Sequence, residues 1–532
     1  MSIIPVPAYI TPTTPLRRRP PYQPAGAGVE RGLNRAYDAV DRAFTRPAGR
    51  LTCLPWLRTT FVKGATLKKA DIPFLTASDL AGLIKEREVS PVEAVEAYLD
   101  RIEALNDKLY AYLTVCREEA LQAARESEKA LARGEDLGPL HGVPVAVKDQ
   151  LHTAGIRTTF GTPIFNDFVP DEDAAVISSL KSAGAILLGK LNMTEFGTTS
   201  LSHAFETARN PWDLERYTGG SSSGSGGATA AFLCAAALGE DTGGSIRAPA
   251  AWCGLVGLRP TWGLVSRYGL RTGMWSMDTI GPLTRTAEDC AIILQAIAGH
   301  DPRDRYSSTL PVPDYRRALD GNIRGLRVGV VKELAQAEAV VPEVGDAVSL
   351  ATGVLGELGA TVEEISIPLV SHARTISDTL RIQAPTNYRD LLRHRLRDIR
   401  HDNRISYLTW SLIPALAYYK AEKLRALLRR QVLEALQRVD VLVSPTSAVP
   451  ALKIEPDQAI DGKKKGSRNP WGLTPTFSLA SVPALSICCG FTSENLPIGL
   501  QVAGAPFQEE TMLRLAHAYE QNTPWHTRKP PL

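Results

Sequence analysis

From Thr218 to Ala251 the chain reads TGGSSSGSGGATAAFLCAAALGEDTGGSIRAPAA, a stretch almost without side-chain bulk. Its Gly/Ser-rich beginning has the composition of a flexible tether. A tether should lead into a domain boundary, yet here it leads into ATAAFLCAAAL, an unbroken run of small and apolar residues. As a helix, such a run is stable only when buried with close backbone approach. The Gly/Ser loop is therefore expected to be anchored in a core. A second small-residue loop, DTGGS, ends at Ser245. A helix of about three turns between the loops would return Ser245 to the end of the sheet that carries Ser221.

The rest of the chain supplies that sheet. PVAVK (144–148), GAILLGK (184–190), GLRVGVVKE (325–333), TVEEISI (361–367), VDVLVSP (439–445), PALSICCGF (483–491) and PIGLQVAG (497–504) read as buried strands. Helical patterns separate them. VSPVEAVEAYLDRI starts a helix with Ser90 as cap, Pro91 at its first position and Glu93 two residues on, and helices are expected over 343–358 and 509–520. Residues 380–438 are helical throughout, including one basic helix over 389–404 striped by Leu392, Leu396 and Ile399. Alternation of this kind predicts an α/β fold. Residues 1–75 form a separate region, a Pro-rich extended arm to about residue 27 and a short helix over 29–44, ahead of a globular domain over 76–532.

Composition excludes several function classes. The 532 residues are 44% hydrophobic and 22% charged, enough for a large core, and Lys plus Arg at 60 against Asp plus Glu at 57 leaves only +3. That surplus gives no basis for a nucleic-acid or anionic-membrane partner. Seven cysteines without CxxC spacing point to reduced, mostly buried thiols, and with neither a secretory leader nor a spanning apolar run the chain is expected in the cytoplasm. No His or Cys spacing indicates a metal site, and no cofactor is expected.

Three local motifs mislead. GSSSG (220–224) matches a nucleophile elbow centred on Ser222, but the preceding ARNPWDLERYTG is no apolar strand. GAILLGKL (184–191) nearly matches a phosphate loop, but AILL belongs in a buried strand and Leu191 stands where a magnesium-binding hydroxyl is needed. The Lys463–Lys465 run suits a solvated turn, and the basic helix over 389–404 suits a solvated face.

Two serines in one cleft still need a base, and Lys148, ending an apolar strand, is the candidate, with apolar neighbours lowering its proton affinity. At this point GVPVAVKD, GAILLGKLNMTEF, TGGSSSGSGG, GEDTGGSIRAPAAWCGLVGLRPTWGLVSRYG, DTIGPLTRTAED and LPIGLQVAG together resemble the amidase signature family, in that family's own order, from about residue 76 to 530. The resemblance implies an α/β/α sandwich with a large mixed, mostly parallel central sheet. It also implies a serine hydrolase of amide bonds with Ser245 as nucleophile, Ser221 as bridging serine after a cis peptide bond, and Lys148 as ultimate base. Backbone N–H groups of Thr242, Gly243, Gly244 and Ser245 would stabilise the oxyanion. Ser222 would hydrogen-bond within the site, and Asp241 and Arg247 would brace the nucleophile loop.

The expected activity is hydrolysis of a small-molecule carboxylic amide to acid plus ammonia or amine, with no nucleic acid, no membrane and a homodimer as the one protein association considered. Carbamate or ester hydrolysis by the same triad is an alternative. Another is the A subunit of a glutamine-dependent tRNA amidotransferase, although Trp262, Leu264 and Thr279 depart from the residues usual in such subunits. Tyr407, Trp410, Tyr418 and Tyr419 hint at room for an apolar or aryl substrate group, with a plain core role the simpler reading.

Overall fold

The structure, a computed structural model, describes residues 67–198, 204–454 and 473–532. The arm, the 29–44 helix, Cys53, His203 and the 463–465 lysines lie outside the described residues. The strands are β1 Tyr112–Val115, β2 Pro144–Lys148, β3 Ile186–Leu191, β4 Arg209–Asn210, β5 Asp213–Tyr217, β6 Ala236–Asp241 and β7 Val256–Arg259. They continue with β8 Thr279–Thr284, β9 Arg327–Val331, β10 Thr361–Ile365, β11 Val441–Pro445, β12 Ala484–Phe491 and β13 Pro497–Gly504. Eleven of them form one sheet in the order β1-β3-β2-β6-β8-β7-β12-β13-β11-β9-β10, and β4 pairs with β5 alone.

The sheet is mixed. Parallel pairings form two blocks, β3-β2-β6 and β11-β9-β10. Antiparallel pairings through β8, β7, β12 and β13 join the blocks. Successive strand residues face opposite sides. Val441 and Val443 of β11 enter one hydrophobic cluster with the helices Pro91–Leu109, Ala287–Ile297 and Pro342–Glu357, whereas Leu442 enters another with Ala373–Leu380 and Ala415–Arg438. Both faces are thus covered by helices, giving the expected α/β/α sandwich. Every residue of β2, β6, β8, β11 and β13 is buried accordingly.

Most expected elements are found within a few residues of their sequence-based bounds. The Ser90 hydroxyl accepts from the N–H groups of Val92 at 3.0 Å and Glu93 at 3.4 Å, capping the helix as read. GAILLGK supplies β3, and the Lys190 amine is buried, donating to the Leu151 carbonyl at 2.7 Å and Thr158 Oγ1 at 2.5 Å. The six described cysteines are free and buried.

Two expectations change. ATAAFLCAAAL is not one helix: the helix spans Ser223–Ala230, starting inside the Gly/Ser stretch, Phe232 takes a left-handed φ of 60°, and Ala236–Asp241 is a central strand. Alanine favours helix locally, but pairing with β2 on one side and β8 on the other overrides that preference. The basic helix over 389–404 is broken into Arg389–His394, a short 3-10 turn Leu396–Asp398 and a helix His401–Ser411. Ile399 leaves the helical path to join Phe160, Phe196, Tyr388 and Tyr407 in an aromatic cluster, and the Arg400 N–H donates to the buried Glu195 carboxylate at 3.0 Å. Of the four aromatics flagged over 380–438, Tyr407 is core, Trp410 and Tyr418 are half-buried, and Tyr419 is exposed.

Candidate active site

Because β2 lies inside the sheet, its last side chain cannot reach water. Lys148 is 0% exposed, and a buried amine requires partners. Its Nζ donates to Ser221 Oγ at 2.8 Å, to Glu240 Oε2 at 3.0 Å and to the Glu240 carbonyl at 3.4 Å. The apolar surroundings expected for Lys148 are therefore replaced, at the amine itself, by a hydroxyl and a carboxylate.

Ser221 follows a cis Gly220–Ser221 peptide bond, as the resemblance implies, and is buried. The serines after it are each pinned to backbone. Ser222 Oγ donates to the Glu240 carbonyl at 3.2 Å and accepts from the Glu240 N–H at 3.3 Å, Ser223 Oγ donates to the Asn192 carbonyl at 3.3 Å, and Ser225 Oγ donates to the Leu238 carbonyl at 3.0 Å. Gly224 has no room for a Cβ, which would overlap the backbone of Ala111 and Asn192. Small residues in this stretch serve close packing of the Ser223–Ala230 helix, not flexibility.

The second loop leaves β6 at Asp241. Burial pushes the Asp241 carboxyl up, but the Arg247 and Arg259 guanidiniums beside it prevail and hold it well below the usual carboxylate range. Arg247 binds it in a fork, Nε to Oδ2 at 3.1 Å and Nη2 to Oδ1 at 3.0 Å, and also donates to Gln501 Oε1 at 2.6 Å and Ser478 Oγ at 2.8 Å. Asp241 in turn accepts from the N–H groups of Gly244 at 2.8 Å and Ile246 at 3.2 Å. The loop is thus braced by Asp241 and Arg247, and the Gly244 N–H is occupied. The N–H groups of Gly243 and Ser245 have no acceptor among the described residues, and a Cβ on Gly243 would meet nothing within 4 Å.

The two loops meet through backbone, the Ser222 N–H donating to the Ser245 carbonyl at 3.3 Å. Ser245 is half-buried, and no hydrogen bond joins its hydroxyl to that of Ser221 among the described residues. Lys148 and Ser221 are therefore directly bonded, with Ser245 adjacent but unlinked by its side chain.

Four contributors escaped the sequence reading. Glu240 binds Lys148, and its other oxygen, Oε1, lies 2.8 Å from Thr242 Oγ1, which lies 2.7 Å from Asp278 Oδ1. Burial first, and the Glu240 charge second, push the Asp278 carboxyl up to about 7. Arg259 donates to the Asp241 carbonyl and to Thr279 Oγ1. The acid inside GEDTGGS, directly after a buried run, was the available signal for Glu240; Asp278 opens the quoted DTIGPLTRTAED motif, but nothing there indicated its approach to Glu240. One wall is formed by Gly197, where a Cβ would stand 3.5 Å from Ser221 Oγ and 3.9 Å from Glu240 Oε2. The adjoining Phe196 packs against Tyr388, ring centroids 5.0 Å apart.

The family model Amidase matches residues 93–513. The chain is 44% identical over 492 residues to the A subunit of glutamyl-tRNA(Gln) amidotransferase from Moorella thermoacetica, covering 87% of this chain and 99% of that one. Among solved structures it is similar to the A subunit of glutamyl-tRNA(Gln) amidotransferase from Thermotoga maritima, with TM-score 0.72, 33% identity and coverage of 85% of this chain and 96% of that one. It is also similar to a bacterial aryl acylamidase of the amidase signature family, with TM-score 0.78, 25% identity and coverage of 85% and 97%. Relatives that are subunits of an enzyme named for a tRNA overturn the expectation of a chain with no link to nucleic acid and a homodimer as the one protein association considered. Among the described residues, no helix is long and apolar enough to cross a membrane. From the matched model, the near full-length identity and the shared fold, the chain belongs to the amidase signature family.

Proposed function

We propose that the chain cleaves a carboxylic amide C–N bond, with Ser245 as nucleophile, Ser221 as bridge and Lys148 as base. It does so as the A subunit of a glutamine-dependent tRNA amidotransferase, in the cytoplasm and with protein partners. The observation that carries the chemistry is the buried 2.8 Å hydrogen bond between Lys148 and Ser221, residues 73 apart in sequence. The observation that carries the biological role is 44% identity over nearly the whole length of one such amidotransferase chain.

In the proposed reaction the Lys148 amine takes the Ser221 proton while Ser221 Oγ takes the Ser245 proton. Ser245 Oγ attacks the amide carbonyl, and the oxyanion is received by the Gly243 and Ser245 N–H groups. Collapse breaks the C–N bond, and the proton returns along the same path to the departing nitrogen, which leaves as ammonia. Water then attacks the acyl-enzyme by the same relay.

A second reading, an amidase acting alone, draws support from the aryl acylamidase likeness and from the aromatic cluster of Phe196, Tyr388 and Tyr407 beside Gly197. Trp262, Leu264 and Thr279 favour it as well. The two readings separate in a hydrolysis panel of glutamine, aliphatic amides, anilides and carbamates, run on the purified chain and again with candidate partner proteins. The amidotransferase reading expects glutamine hydrolysis that rises when partners are added. Robust hydrolysis of unrelated amides by the chain alone would sink it.

A further inference from the structure

Thr242 has one hydroxyl hydrogen and two carboxyl oxygens within hydrogen-bond reach, Glu240 Oε1 at 2.8 Å and Asp278 Oδ1 at 2.7 Å. A single O–H can donate to only one of them. If both carboxyls were ionised, the remaining contact would set the half-buried hydroxyl's oxygen lone pair against a buried carboxylate with no proton between them. One of the two carboxyls must therefore bring a proton of its own.

The surroundings decide which. Glu240 has its second oxygen on the Lys148 amine at 3.0 Å, which donates to it, so that oxygen is an acceptor. Asp278 has no basic side chain in contact among the described residues. Its Oδ2 accepts from the N–H groups of Gly273 at 2.8 Å and Met274 at 3.0 Å, leaving Oδ1 as the oxygen that can carry hydrogen. The groups facing Asp278 are Glu240 from β6, which disfavours its charge, and the Arg267 guanidinium, which favours it more weakly than burial opposes it. Arg259, Tyr388 and Tyr407 also feel its charge, and the Nη1 and Nη2 groups of Arg259 donate to the Asp241 and Met277 carbonyls.

We propose that Asp278 is held protonated and donates to Thr242, whose hydroxyl donates to Glu240, so that Glu240 is the one carboxylate facing Lys148. The hydrogen bonds then run without a break in one direction, from Asp278 Oδ1–H through Thr242 Oγ1–H to Glu240, whose Oε2 accepts from Lys148 Nζ. Asp278 and Thr242 are positioning residues: they act on Ser221 only through Glu240 and Lys148. Loss of the Asp278 proton would put a second negative charge into the site, next to the Glu240 carboxylate that holds the Lys148 amine, and disturb the contact of that amine with Ser221. The functional part of this inference rests on the proposed role of Lys148; the proton assignment does not.

The test compares wild type with Asp278→Asn, whose amide keeps a donor for Thr242 and an acceptor for Gly273 and Met274 but cannot ionise. The rate of Ser245 labelling by a fluorophosphonate probe is followed with pH for both proteins. The variant-to-wild-type ratio is expected to rise by about threefold or more between about pH 6 and about pH 8.5, as Asp278 ionises in wild type alone. A ratio flat with pH in labelled proteins would overturn the inference. Wild type that is not labelled at all would instead sink the proposed function. Infrared difference spectra decide the proton assignment without any activity: the carbonyl stretch of a protonated carboxylic acid, present in wild type, should vanish in Asp278→Asn and persist in Glu240→Gln, and the reverse would refute it. Should Asp278→Asn fold poorly, Thr242→Val is expected to slow labelling by about tenfold and Thr242→Ser to restore it, since only the hydroxyl is needed. Equal rates in Thr242→Val and wild type would also overturn the inference.

Discussion

Lys148 shows how one side chain is constrained by everything around it. Its amine is wholly buried and divided between Ser221 and Glu240, so Lys148→Ala would leave Glu240 as an unpaired buried carboxylate as well as remove the proposed base. Ser245→Ala and Lys148→Ala are each expected to lower turnover by at least about 10³-fold, and the double variant by little more than either, because members of one relay do not add. Steady-state rates on an amide substrate, together with a thermal melt, separate the two variants: Ser245→Ala should fold normally, Lys148→Ala should lose stability as well. Asp241 illustrates charge of the opposite kind. Its folded carboxyl lies below the unfolded value of about 4, so its stabilising effect is complete above that value and is lost as pH falls through the folded value. Asp241→Asn leaves Arg247 and Arg259 without their carboxylate and is expected to cost about 3–5 kcal/mol, read as a lower Tm and a weaker dependence of stability on pH in acid.

Six of the eight residues of the Ser223–Ala230 helix, all but Ala228 and Ala230, are poor or indifferent helix formers, and it exists because its neighbours require small side chains. Gly224→Ala tests this. Alanine would gain roughly 1 kcal/mol of helix propensity on an exposed helix. Here the added Cβ overlaps the backbone of Ala111 and Asn192, so a net loss of about 1–3 kcal/mol is expected in chemical denaturation. Gly243→Ala, whose Cβ meets nothing within 4 Å, should stay within about 0.5 kcal/mol of wild type in the same measurement. The pair of outcomes distinguishes glycines that serve packing from those that serve the cleft. The break in the 389–404 helix belongs to the same level of description: no proline or glycine marks it, and Ile399 departs only because the aromatic cluster takes its side chain.

Across the molecule, the helical region over 380–438 is tied to the site by polar contacts spanning more than a hundred residues. Arg425 donates to Ser276 Oγ at 2.9 Å, to the Ser276 carbonyl at 2.8 Å and to the Leu479 carbonyl at 3.1 Å, and Gln383 Nε2 donates to the same hydroxyl at 2.9 Å. Ser276 sits two residues before Asp278, in the loop that carries the Thr242 contact. Arg425→Ala strands two carbonyls and is expected to destabilise by about 1–3 kcal/mol and to raise KM more than it lowers kcat, checked by a melt and a substrate titration.

Seven of the eleven strands of the sheet, the capped helix at Ser90 and the pairing of Lys148 with Ser221 were legible in the amino-acid sequence, because each rests on local pattern: apolar runs of strand length, a cap with its proline, and a motif set in a recognisable order. Small residues over 218–251 also announced tight packing correctly. What only the tertiary structure decided is where that packing led. Whether AALGED is helix or strand depends on β2 and β8, which lie elsewhere in the chain. Likewise, Glu240 and Asp278 share one hydroxyl only because β6 and the start of β8 are neighbours in the sheet, and no spacing in sequence encodes that juxtaposition.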